Sequence, residues 1–348
     1  MLKTVTATAP SNIALIKYWG KSDAALNWPA NDSLSMTLSR TKTTTTARIN
    51  EHAATKEQHS LAFSGHEARR PTEKTVRFLE WLRGEVSQFG QAKGALAITT
   101  QNTFPSSCGI ASSASGFAAL TIAAAGAWLG KDSLADLEAT GVTTELLSNW
   151  ARRGSGSACR SIHGGYVLWE RGETPNDQGI KTVFSPSYWQ LADLIVLIDQ
   201  SAKQVSSSDG HTRAFTSPMM RPRLDALPQR LQQVAAAIES RNLEKLGDAI
   251  EQEAIEMHDI MKTSTPRTEY FGSPTVVFLD WLRESRKRGD FHAWFTLDAG
   301  PNPHLICRPE DSANIRSRIQ ARFPGTPVME DVTGEGASLQ TGGAANGH

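Results

Sequence analysis

Cysteine is scarce: Cys108, Cys159 and Cys307 are the only three in 348 residues, and no two of them form a CxxC pair. They supply no even disulfide framework and fit a reducing compartment. Charge gives no bulk signal either, because 36 basic and 36 acidic residues cancel. No global field gathers nucleic acid or an anionic membrane, so an anionic ligand must be held locally. The longest apolar run, Phe117–Leu129, is shorter than the roughly 20 residues that span a bilayer, and Met1–Pro10 has no apolar core of signal-peptide type. The reading is a cytoplasmic protein with no membrane anchor and no nucleic-acid partner.

Familiar catalytic signatures are missing as well. There is no H-E-x-x-H, no G-x-G-x-x-G after a strand and no basic run interleaved with aromatics. Gly20–Ser22 resembles the end of a Walker A loop, but Leu15 occupies the place of the partner glycine, which disfavours a P-loop NTPase. What is present is ordinary for a globular chain: 39% hydrophobic, 21% charged and 7% aromatic residues. The length exceeds one typical domain, so two fused lobes are expected.

β-Branched runs predict strands over Thr41–Ile49 and Ala95–Thr100, with a helix through Lys74–Leu82 between them. Small and apolar residues predict a buried helix over Ala111–Leu129, and Tyr166–Glu170 and Leu191–Asp199 read as strands. The polar stretch Arg171–Ser185 sets the lobe boundary near residue 190. Beyond it, Leu243, Leu246, Ile250, Ala254, Met257 and Met261 recur at helical spacing, and Val276–Leu282 continues as helix. Strands over Phe291–Leu297 and His304–Cys307 flank the turn Asp298–Asn302. The expectation is an α+β protein with lobes over 1–190 and 191–340 and a frayed low-complexity tail over 341–348.

Four segments could carry chemistry. Pro105–Gly116 (PSSCGIASSASG) offers glycine, hydroxyls and a helix start, an anion site needing no lysine. Small residues that merely permit tight helix packing would look the same. Pro10–Lys21 sets Lys17 and Lys21 beside Tyr18, Trp19 and Gly20, and two lysines four apart are also what a solvated face shows. Gly154–Arg160 (GSGSACR) joins two hydroxyls and a guanidinium, suited to a carboxylate or phosphate, or else forms a serine-stabilised turn. Asp298 ends an apolar strand ahead of Gly300-Pro301, as a base aimed into a cleft or as a turn cap.

Taken in order, NIALIKYWGK (Asn12–Lys21), NDSLSMTL (Asn31–Leu38), NTFPSSCGIASSASGFAAL (Asn102–Leu120), SGSACRS (Ser155–Ser161), VSSSDG (Val205–Gly210), Met257–Pro266 and TLDAGPN (Thr296–Asn302) resemble the GHMP kinase superfamily. Within it they are similar to the mevalonate diphosphate decarboxylase family. That resemblance implies a ribosomal-protein-S5-domain-2-like N-terminal lobe, a ferredoxin-like C-terminal lobe and, usually, a homodimer. ATP and Mg²⁺ would lie in the cleft, with Pro105, Ser107, Gly109, Ala111, Ser112, Ser113 and Ser115 around the ATP phosphates and Ser112 and Ser113 beside the metal.

The substrate it implies is mevalonate 5-diphosphate, held by Tyr18, Trp19, Gly20, Lys21, Lys74, Ser155, Gly156, Ser157, Ala158, Cys159, Arg160 and Ser208. Its tertiary C3 alcohol leaves poorly unless phosphorylated, so the resemblance gives Asp298 that hydroxyl's proton, Arg160 the carboxylate lost as CO₂, and Lys17 the neutralisation of Asp298 or the phosphoryl group. Departures from the family pattern are Lys74 for an arginine, Ser208 for a threonine, and Ser107 and Cys108 for alanines. A phosphomevalonate decarboxylase, a mevalonate 3-kinase and a non-catalytic binding homologue are the competing readings.

Overall fold

Threonine-rich sequence explains the longest strand. From Thr41 to Ala47 every second residue is buried and the alternate ones are less so, the period of a sheet with one face on a core. The computed structural model describes residues 4–49, 59–64, 66–67, 70–105, 112–175, 177–201 and 205–342. In the first lobe these form β1 (Val5–Ile16), β2 (Lys21–Asp23), β3 (Trp28–Pro29), β4 (Ser33–Ile49), β5 (Ser60–Phe63), α1 (Glu73–Val86), β6 (Leu96–Asn102), α2 (Ser112–Leu129), α3 (Leu134–Glu138), α4 (Thr144–Gly154), β7 (Tyr166–Trp169) and β8 (Ile180–Phe184). Then follow β9 (Ala192–Val196), α5 (Ser207–Arg213), α6 (Met220–Glu239), α7 (Leu243–Thr263), α8 (Ser273–Lys287), β10 (Ala293–Thr296), β11 (His304–Cys307), α9 (Ser312–Arg322), β12 (Val328–Val332) and β13 (Ser338–Thr341).

The first sheet runs β13-β1-β4-β6-β5, with β7 added to β4 and β8 to β7. One face packs on α2, where Ala118, Ala119, Ile122 and Ala125 share a core with Val5, Ala7 and Ala9 of β1; small side chains on both sides allow close approach. α2 has the length and apolarity of a membrane span, yet 72% of it is buried inside the fold, the condition of a core helix. The second sheet, β10-β11-β9-β12, is antiparallel and covered by Phe278 and Leu282 of α8 and Ile315 and Ile319 of α9. Ile13, Leu15, Leu34 and Met36, on the far halves of β1 and β4, pack against Leu227 and Val234 of α6 and Leu246 and Ile250 of α7. The same two strands thus serve both lobes.

β1 lies outside the sequence-predicted strands because it contains Pro10 and is buried on both faces toward its end, which hides the period. Its register on β4 shifts between Pro10 and Asn12, a bulge of the kind that re-aims side chains. α6 was hidden in the same way by Pro228 in its interior. After the second lobe the chain returns: β13 pairs antiparallel with β1, Val5 opposite Thr341. Thr341, the first residue of the expected tail, is therefore the last residue of a strand, and residues 343–348 lie outside the described ones.

A single carboxylate ties the lobes at this return. Asp331 of β12 is fully buried and accepts from the backbone N–H groups of Ser39, Arg40 and Thr41, at 2.7–2.8 Å, and from the Thr41 hydroxyl at 2.7 Å. Removing it leaves the backbone donors of Ser39 and Arg40 and the buried N–H and hydroxyl of Thr41 without that acceptor. Asp331→Ala is expected to destabilise the protein by about 3 kcal/mol, read as a lower urea midpoint; an unchanged midpoint would refute this account of the tie.

Candidate active site

β1 leaves its sheet at Ile16, so Lys17 is the first residue carried into the space between lobes. Its side chain is 2% exposed, and its Nζ donates to Asp298 Oδ1 at 2.7 Å. Asp298 stands just past β10 in the turn before Gly300-Pro301, its side chain 27% exposed. Burial drives the Lys17 pKa below the usual lysine range; Asp298 and Glu253 oppose that shift and Arg160 adds to it. One carboxylate thus contacts the ammonium group, and a second carboxylate and a guanidinium act on it through their charge. His258, buried on α7, hydrogen-bonds the Asp298 backbone, and burial, with Lys17 nearby, pushes its pKa down to about 3, so the ring is neutral.

Arg160 comes from a 3₁₀ turn, Gly156–Ser161, that follows α4. It is 3% exposed, donating from Nη1 to Ser33 Oγ at 2.6 Å and from Nε and Nη2 to Asn12 Oδ1 at 3.3 and 3.2 Å. Three of its five N–H groups are thereby used, and a bidentate anion can take the rest. Asn12 is set by the β1 bulge and in turn donates to Ser161 Oγ at 2.8 Å. Gly156 is required here, since a Cβ would meet the Tyr18 ring at 2.5 Å. Ala158 and Cys159 point into the core, leaving only their backbone for ligand contact, and burial pushes the Cys159 thiol up to about 12, which makes it inert.

Tyr18 and Trp19 enclose His211 of α5, with ring centroids 4.3 and 4.6 Å away. His211 Nδ1 accepts from the Gly20 N–H at 3.1 Å, and burial first, then Lys21, holds its pKa well below the ordinary histidine value. Gly20 has φ +86°, a left-handed turn that swings Lys21 back toward the site. Lys21 Nζ donates to Asn27 Oδ1 at 2.7 Å, and Asn27 donates to the Arg152 and Arg153 carbonyls at the end of α4. Burial, with Lys74 nearby, lowers the Lys21 pKa to about 8. Lys74, on α1, sits over the Phe117 ring at 5.0 Å. The two ammonium groups predicted for one anion are thus neighbours.

Of the expected phosphate loop, Ser107, Gly109 and Ala111 lie outside the described residues, and Pro105 is exposed after β6. Ser112 and Ser113 open α2, where backbone N–H groups and the macrodipole favour an anion. Ser113 Oγ meets Ser155 Oγ at 3.3 Å, which joins this helix start to the Arg160 turn. Ser115 is different: it is buried against the Thr43 hydroxyl at 2.7 Å and faces the core, so its side chain is not placed for ATP. Ser157 precedes Arg160 in the same turn, and Ser208 is exposed on the first turn of α5. Among the described residues no cluster of three or more His, Cys, Asp or Glu could hold a metal ion. The hard hydroxyl oxygens of Ser112 and Ser113 suit Mg²⁺ only as partners of phosphate oxygens.

Sequence reasoning missed His211, Asn27, His258 and Glu253. The signal that could have found Glu253 and His258 is their polarity among the mostly apolar buried positions of α7, a polarity that Glu251 shares.

Known proteins resemble this chain over nearly its whole length. Residues 9–180 match the diphosphomevalonate decarboxylase-like N-terminal domain, and residues 193–343 match the mevalonate 5-diphosphate decarboxylase C-terminal domain. The diphosphomevalonate decarboxylase of Debaryomyces hansenii is 33% identical over 339 residues, covering 92% of this chain and 83% of the relative. A solved structure of MDDEF in complex with MVAPP, AMPPCP and magnesium superposes with a TM-score of 0.86 at 31% identity, covering 98% of this chain and 99% of that one. Mevalonate diphosphate decarboxylase from Staphylococcus aureus gives 0.86 at 30% identity, covering 97% and 98%.

Lys21 bears a pH prediction. A lysine whose pKa is lowered to about 8 is charged below that pH and neutral above it, so affinity for inorganic pyrophosphate should fall between pH 7 and 9. Lys21→Met should weaken pyrophosphate about tenfold at pH 7 and remove that pH step, as measured by calorimetry.

Proposed function

Because the chain belongs to the diphosphomevalonate decarboxylase family, we propose that it converts mevalonate 5-diphosphate and ATP to isopentenyl diphosphate, CO₂, ADP and phosphate. The observation that carries this reading is the Lys17–Asp298 pair at 2.7 Å with Arg160 close enough to feel the Asp298 charge. A carboxylate held ionised by an ammonium, beside a guanidinium with N–H groups to spare, can handle a hydroxyl proton and a substrate carboxylate at once.

In the first step Asp298 takes the proton of the C3 hydroxyl as its oxygen attacks the γ-phosphorus and the bond to ADP breaks. Lys17 keeps that carboxylate aimed and ionised. In the second, the C3–O bond breaks with departure of phosphate. The C1–C2 bond then cleaves, its electrons form the C2=C3 double bond, and CO₂ leaves. Arg160 holds the carboxylate so that this bond lies in line with the emptying orbital. Lys21, Lys74 and Ser208 hold the diphosphate, while Tyr18, Trp19 and Gly20 with Ser155, Gly156 and Ser157 wall the pocket. Ser112 and Ser113 at the start of α2 hold ATP phosphates, and Mg²⁺ bound there would neutralise their charge. A homodimer in the cytoplasm completes the reading, on the strength of the family resemblance.

The test is a coupled measurement of ADP and CO₂ with mevalonate 5-diphosphate and its monophosphate. Equal ADP and CO₂ from the diphosphate is expected; ADP without CO₂, or turnover of the monophosphate alone, would sink the proposal. Asp298→Asn should lose about 10³-fold in kcat while AMPPCP still binds.

A further inference from the structure

We propose that the buried cluster of Glu253, Arg223 and Arg230 is a positioning device, fixing the backbone of Lys17 and through it the ammonium that aims Asp298. This rests on the function proposed above for the Lys17–Asp298 pair.

Where β1 ends, the Lys17 peptide groups lose their ladder partners, and two helices of the other lobe replace them. The Lys17 N–H donates to Glu253 Oε1 of α7 at 3.1 Å. The Lys17 carbonyl accepts from Arg223 Nη2 of α6 at 3.0 Å and from Asn31 Nδ2 at 3.0 Å. Arg223 Nη2 also donates to Glu253 Oε1 at 2.5 Å, and Arg230 Nη1 to Glu253 Oε2 at 2.6 Å. Glu256 closes the outer side, taking both Arg230 nitrogens at 2.6–2.7 Å.

Glu253 is fully buried, and Arg223 and Arg230 are 3% and 5% exposed. Burying three such charges costs more than packing apolar side chains of the same volume would. A cluster kept only for stability has no reason to grip both the donor and the acceptor of one residue. Here that residue carries the ammonium of the catalytic pair.

The charged and titratable groups acting on that ammonium are Asp298 after β10, Arg160 in the 3₁₀ turn, and Glu253 and neutral His258 on α7, while Arg223 of α6 holds the Lys17 carbonyl. Arg160 works against the ammonium charge and Glu253 supports it. The cluster therefore contributes geometry and one negative charge, and the two are separable by substitution.

Glu253→Gln keeps the shape and removes the charge. Its kcat should fall about 10- to 100-fold, with both KM values within about threefold. Losing a negative charge makes deprotonation easier, so the basic limb of the pH–rate profile should move to lower pH. A ¹³C NMR titration of the Lys17 Cε, assigned with Lys17→Arg, should shift the same way. Glu253→Asp retains the charge but retracts it; kcat should fall and the limb should stay. Glu256→Gln, at the rim, should lower the unfolding midpoint and leave the limb and the Lys17 titration alone.

A Glu253→Gln protein with wild-type kcat and limb would overturn the proposal. So would a lowered midpoint with an unmoved Lys17 titration, the signature of a purely structural cluster. If Glu253→Gln yields no folded protein, wild-type kcat in Glu253→Asp would overturn it instead. The titration is read without substrate, so failure of the wild-type protein to release CO₂ would defeat the assigned reaction without touching this result.

Discussion

A lysine with 2% of its side chain exposed cannot stay charged without a partner, and the partner of Lys17 lies 281 positions away in the other lobe. The fold is built so that these two meet. β1 carries Lys17 out of the first sheet, β10 delivers Asp298 from the second, and α6 and α7 close over the junction. Closure is reinforced from both sides, by Asp331 gripping the β4 bend and by β13 returning to pair with β1. Neither lobe holds the pair alone.

A chain of zero net charge nonetheless presents a cationic cleft, and the reason is where compensation occurs. Arg223 and Arg230 are neutralised by Glu253 beneath the surface, and Arg230 also by Glu256 at the rim. Lys21, Lys74 and Arg160 have no acidic ion-pair partner of that kind among the described residues: Lys21 donates to an amide oxygen, Arg160 to an amide and a hydroxyl, and Lys74 lies over a phenyl ring. Held by neutral acceptors, these cations carry no ion pair that an incoming anion would have to displace. The start of α2 adds backbone dipoles without adding charge.

Aromatic packing does the remaining shaping. His211 between Tyr18 and Trp19 is kept neutral by burial and by the lysine beside it, so it acts as a flat wall and as an acceptor for the Gly20 N–H. Tyr18 lies on Gly156, which couples the Lys21 turn to the Arg160 turn. A change in one of these segments is transmitted to the other by direct contact.

The sequence alone marked the residue types proposed to carry the chemistry. Lys17, Lys21, Arg160 and Asp298 sit in short segments whose glycines and hydroxyls are locally distinctive, and His304–Cys307 and Leu191–Asp199 show their strands by β-branched and apolar runs. It left open whether Asp298 merely caps a turn and whether Lys17 merely faces solvent, because both depend on a partner hundreds of positions away. Only tertiary structure decided those, along with the turning of Ser115 into the core, the Glu253 cluster under Lys17 and the support of Lys21 by Asn27. Local pattern reports which face of an element is buried; it carries no record of what that face meets, and a buried charge is defined by what it meets.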